Sequence, residues 1–98
     1  MIEVRETTRF RQWLDKLCDE NARRRIVVRI RRLSEGNFGD AKYVGDGVGE
    51  LRIDYGPGYR LYFARRGPDL VLLLAGGDKR TQWSDVEAAR SMARTVTE

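Results

Sequence analysis

The chain has 98 residues and a formal net charge of +4, with sixteen arginines, three lysines, one cysteine and no histidine. Without histidine there is no imidazole for a metal site, a general base or a serine or cysteine triad. The single Cys18 rules out a disulfide framework within the chain, and no apolar run is long enough to span a membrane. The expectation is one soluble, cytoplasmic domain over residues 1–98 with a single modest core, no leader peptide, no metal and no cofactor. Arginine grips phosphate at two points and stacks on bases. An isoelectric point near 9.6 therefore points to a polyanion or an acidic partner, against the alternative of a merely solvated basic surface.

Residues 2–5 read as a short first strand. Phe10, Trp13, Leu14, Leu17 and Cys18 then recur at helical spacing and predict an amphipathic helix, with Cys18 packed in the core. Asp19 caps a second helix whose apolar stripe is Ala22, Ile26, Ile30 and Leu33, and Gly36-Asn37 stops it. So short a link makes the two helices a hairpin. The second helix also carries Arg23, Arg24, Arg25, Arg29, Arg31 and Arg32. These could meet RNA, dock an acidic partner, or solvate the outer face by pairing with Asp19, Glu20 and Glu35.

Residues 36–49 read as a polar, glycine-rich loop. Gly45-Asp46-Gly47-Val48-Gly49 superficially resembles a phosphate-binding turn, but it lacks the third glycine and leads into a strand. Lys42 is the better candidate there for reaching phosphate. Residues 50–63 alternate around Gly56-Pro57-Gly58, a strong hairpin signal. One face carries Leu51, Ile53, Tyr55, Tyr59, Leu61 and Phe63; the other carries Arg52, Asp54, Arg60 and Tyr62. Residues 70–75 are apolar on both faces, as in a doubly covered strand, and Gly76-Gly77 ends it. Ser84 and Glu87 form a capping box for a last helix that buries Val86, Ala89, Ala93 and Val96. The predicted architecture is α+β, in the order β-α-α-β-β-β-α, with an antiparallel sheet packed against the helical hairpin and a partly open basic face.

Several motifs together resemble the RelE/ParE superfamily of toxins from type II toxin–antitoxin modules. The likeness is narrowest to the addiction module killer proteins, the HigB-like and phage Gp49-like group. The motifs are Phe10-x-x-Trp13-Leu14-x-x-Leu17, Arg29-Ile30-x-Arg32-Leu33, Gly36-Asn37-x-Gly39-Asp40-x-Lys42, Glu50-Leu51-Arg52-Ile53, Gly56-Pro57-Gly58-Tyr59-Arg60-x-Tyr62-Phe63 and Gly76-Gly77-Asp78-Lys79-x-Thr81-Gln82. The resemblance implies a RelE-like microbial RNase fold. It also implies a toxin that stops translation by cutting mRNA on the ribosome, and a cognate antitoxin, commonly a helix-turn-helix DNA-binding protein. The alternative from the same superfamily is a non-enzymatic, ParE-like poison of DNA gyrase; a third is an inactive toxin kept as a regulatory partner.

Cutting RNA internally requires in-line attack by the 2′-OH, charge stabilisation on the phosphate and management of two protons. Arg60 matches the family's strand arginine on the scissile phosphate, unless it serves as a cross-strand bridge to Asp54. Arg52, its neighbour, resembles a position where related toxins use lysine. Arg80 matches a basic catalytic position of RelE-type toxins, and Lys79 belongs to the Gly-Gly-Asp-Lys motif. The last-helix tyrosine of RelE-type toxins is replaced here by Val86, and the HigB-type histidines are absent. Tyr62, with Asp54 or Asp78 as base, are the remaining proton-transfer candidates. Gln82 and Trp83 could hydrogen-bond to or stack on a base, or Trp83 could pack internally.

Overall fold

A computed structural model describes residues 1–95. In chain order they form β1 (Glu3–Glu6), α1 (Thr8–Lys16), α2 (Glu20–Ser34), β2 (Ala41–Gly45), β3 (Val48–Ile53), β4 (Tyr59–Arg65), β5 (Leu70–Asp78), a 3-10 turn (Lys79–Thr81) and α3 (Gln82–Thr95). The sheet order is β1-β5-β4-β3-β2. The α1–α2 hairpin covers one face, over Leu51, Leu61, Phe63, Val71 and Leu73. α3 covers part of the other, over Val48, Tyr62, Ala64, Leu72 and Leu74. This is the α+β class expected, compatible with a RelE-like fold, and it alternates as the hairpin sequence predicts.

Local chemistry sets the element ends. Thr7 caps α1 by accepting from the Phe10 amide at 3.1 Å, and its hydroxyl donates to the Leu74 carbonyl at 2.7 Å, fastening the helix to β5. Asp19 caps α2 as expected, accepting from the amides of Asn21 and Ala22. Gly36, at φ 92°, closes that helix by donating to Leu33.

Five expectations need correction. The sheet is mixed, because β1 pairs parallel to β5 in the register Glu3↔Leu70. The predicted loop contains an additional strand, β2, antiparallel to β3. Asp46 and Gly47 join them with φ of 54° and 76°, the backbone of a two-residue hairpin turn with both residues left-handed. Cys18 is exposed rather than in the core, because α1 ends at Lys16 and the chain turns extended at Leu17. Gly76 and Gly77 lie inside β5. They are small because a Cβ at Gly76 would overlap the Trp13 ring and one at Gly77 the Asp85 carboxylate. Ser84 caps nothing: α3 starts two residues earlier, behind a 3-10 turn capped by Asp78, and the Ser84 hydroxyl donates to the Thr81 carbonyl. Val96 lies outside the described residues.

Candidate functional site

The α1–α2 face of the sheet is closed by core packing. On the opposite face α3 starts only where β5 ends, so the hairpin end of β3 and β4 lies beyond it. Cross-strand register places Arg52 opposite Arg60 there. With Asp54 and Lys79 they line a cleft of about 450 Å³, which also reaches Asp40 and the Gly56-Pro57-Gly58 loop. Arg60 is the most sheltered of these cations, its side chain 13% exposed. Its Nη1 donates to the Gly58 carbonyl at 2.9 Å, and no hydrogen bond among the described residues engages its Nη2. Arg60 does not bridge to Asp54, which leaves β3 with the loop and is exposed. Arg52 is tied to Asp40 at 3.0 Å, and that bond holds its proton more firmly than usual.

Beneath the cations sits a carboxylate that the sequence reading passed over. Glu50 has no exposed surface. Its Oε2 accepts from the Tyr62 hydroxyl and from the Gln82 amide, each at 3.0 Å. Arg60 Nε lies 3.7 Å from the same oxygen, and Lys42 Nζ lies 4.0 Å from Oε1. Four of the nominated residues, from β2, β4 and the start of α3, thus meet at one group. Period-2 alternation carries the signal that was available: it puts Glu50 on the face of Arg52 and Asp54. Glu50 Oε1 and Arg60 Nε are buried without a hydrogen-bond partner.

Tyr62 is fully buried under α3. Burial first, then the Glu50 charge and the bond to it, push its phenol far above the ordinary range. Arg80 lies outside the cleft, exposed and folded back on Asp78 at 3.0 Å. That bond, above all, holds the Asp78 carboxyl below the usual carboxylate range. Trp83 is 79% exposed on the first turn of α3, so it does not pack. Among the described residues no cluster of Cys, Asp and Glu converges in a way that could hold a metal ion.

The arginines of α2 divide. Arg29 turns inward, donating to the carbonyls of Phe38, Asp40 and Arg52, and so clamps the chain entering β2. Arg25 stacks over Tyr55 at 4.5 Å. No ion pair joins the six to Asp19, Glu20 or Glu35 among the described residues; the cations meet carbonyls, a ring and solvent instead.

The sequence profile of the phage-derived Gp49-like protein family matches residues 12–95, everything described from the second turn of α1 onward. The chain belongs to that family. The Gp49-like proteins are toxins of toxin–antitoxin modules related to RelE and HigB, and such a family implies a cognate antitoxin as partner. A protein of Haemophilus influenzae described as uncharacterised is 48% identical over 95 residues, covering 97% of this Gp49-like chain and 96% of its own length.

Proposed function

We propose that this chain arrests translation as a ribosome-dependent mRNA endonuclease. The observation that carries the reading is the cleft itself. It is lined by a strand-held arginine, a second arginine, an ammonium group and the carboxylates of Asp40 and Asp54, the groups that charge stabilisation and proton transfer on a phosphodiester require. In the proposed reaction the 2′-oxygen bonds to the adjacent phosphorus and the bond from phosphorus to the 5′-oxygen breaks, leaving a 2′,3′-cyclic phosphate. Asp54 takes the 2′-OH proton and Lys79 supplies one to the 5′-oxygen. Arg60, with Arg52, stabilises the charge on the phosphate oxygens. Tyr62 is unsuited to exchange protons with RNA, because it is buried and its phenol is held neutral. Asp78 is a poor base because Arg80 already occupies it. Lys42 and Arg80 extend the basic track, and Gln82 and exposed Trp83 flank it where a base would stack.

The action is cytoplasmic, where ribosomes and messages are. The antitoxin is a helix-turn-helix DNA-binding protein that presents an acidic segment. The outer face of α2, with Val27 and Val28 exposed beside Arg23, Arg24 and Arg31, suits such a segment.

The test is induction without antitoxin, followed by primer extension on cellular mRNA. Cuts should appear only in translated message. Arg60→Ala should fold normally, relieve growth arrest and lower the cleavage rate on the order of 10²–10³-fold, the cost of one charge-stabilising donor. A folded, fully toxic Arg60→Ala protein would sink the assignment. Arrest without cuts, accompanied by loss of gyrase supercoiling, would replace it with the gyrase reading.

A further inference from the structure

Glu50 is the one charged side chain with no exposed surface among the described residues. A strand position facing α3 needs only a hydrophobe, and a buried carboxylate is costly unless charges and donors surround it. Here they do. Tyr62 and Gln82 donate to Oε2 from the framework, while Arg60 and Lys42 approach from the side that opens to solvent. Register explains the convergence: Lys42 and Tyr62 are the cross-strand neighbours of Glu50, and Gln82 opens α3.

We propose that Glu50 is the positioning residue of the phosphate clamp, holding Arg60 and Lys42 in place without touching RNA. Two framework donors fix the carboxylate, and the carboxylate in turn orients the guanidinium before substrate arrives. Only the kinetic consequence rests on the nuclease reading. A preorganised Arg60 favours the transition state. A negative charge behind it weakens, if anything, the grip on ground-state phosphate. Removing Glu50 should therefore separate rate from binding, which general loosening of the fold would not do.

Glu50→Gln keeps the shape and an acceptor for Tyr62 and Gln82 but removes the charge. In the free protein, the Arg60 Nε–H proton, followed by nitrogen-resolved NMR, should exchange with solvent roughly tenfold faster than in wild type, because a buried site has lost its ion pair. On message-programmed ribosomes kcat should fall roughly 10–100-fold while KM stays level or drops, the pattern of a lost transition-state interaction. Unchanged Arg60 exchange together with an unchanged kcat would overturn the proposal, and so would kcat falling with a matching rise in KM. Should wild type cut no message at all, the nuclease reading fails by itself, and the Arg60 exchange rate still decides the positioning claim. Should Glu50→Gln not fold, Tyr62→Phe decides it: by freeing one side of the carboxylate it should quicken Arg60 exchange, and an unchanged rate would refute the idea.

Discussion

Tyr62 stands mid-strand on β4 with its hydroxyl inside the molecule, 3.0 Å from Glu50. Its folded pKa lies far above the unfolded value near 10, so the native state holds the phenolic proton more tightly. The stability contributed by the neutral, bonded phenol is complete below pH 10 and drains as pH rises beyond it, by at most about 1.4 kcal/mol per unit. Urea unfolding at pH 9 and pH 11 should show wild type losing more stability than Tyr62→Phe over that interval. At pH 7 the same substitution should cost about 1–2 kcal/mol, since Glu50 keeps Gln82 as a donor. Parallel losses in the two proteins would mean the phenol is not sealed from solvent.

Two contacts join elements that are far apart in the chain. Gly76 on β5 lies under the Trp13 ring of α1, so Gly76→Ala must push the ring or the strand aside. Overpacking of this kind costs about 1–3 kcal/mol, and Tm should fall by about 4–8 °C for each kcal/mol. Trp13 fluorescence, read in a Trp83→Phe background, should shift with it; an unchanged Tm and spectrum would place the ring elsewhere. At the opposite end of the molecule Asp46, in the β2–β3 turn, accepts from Arg90 at 2.9 Å and from Arg94 at 2.7 Å. The Arg90 bond, first, and the charges of both arginines hold the Asp46 carboxyl below its usual range. Its contribution is thus present above about pH 4 and is lost as pH falls through the lowered value. Asn tolerates the left-handed backbone there, so Asp46→Asn should quicken amide exchange in the last turns of α3 and leave α1 and α2 unchanged. Uniform protection across α3 would show that the clamp carries nothing.

Charge and topology place the open cleft at the hairpin end of the sheet, where α3 does not reach. The chain has no histidine, and its most sheltered tyrosine is locked against Glu50. On the nuclease reading proposed above, in-line geometry would come largely from the ribosome, which would hold the message and supply the entropic advantage of positioning. Naked RNA should be cut slowly or not at all, and the pH–rate profile on ribosomes should lack an inflection between about pH 6 and 7 of the histidine kind. Fast cutting of naked RNA at the ribosomal sites would mean that the cleft holds a complete acid–base pair.

Periodicity is enough to read the α1–α2 hairpin and the β3–β4 alternation, because each of these buries a face that repeats every two or about 3.6 residues, while β5 shows as an unbroken apolar run because both its faces are buried. The Asp19 cap was legible because capping is a contact between neighbours in sequence. β2 was hidden by its exposure: an edge strand of five residues buries too little to show a pattern, and the Asp46-Gly47 turn was its one local signal. β5 runs on through Gly76 and Gly77 for the opposite reason, since Trp13 and Asp85 pack on those glycines from distant parts of the chain. Composition alone marks the cations able to meet a phosphate, because arginine and lysine carry their charge wherever they lie. That Lys42, Arg60, Tyr62 and Gln82 share one buried carboxylate follows from the fold, because register and the docking of α3, not spacing in the chain, bring them to Glu50.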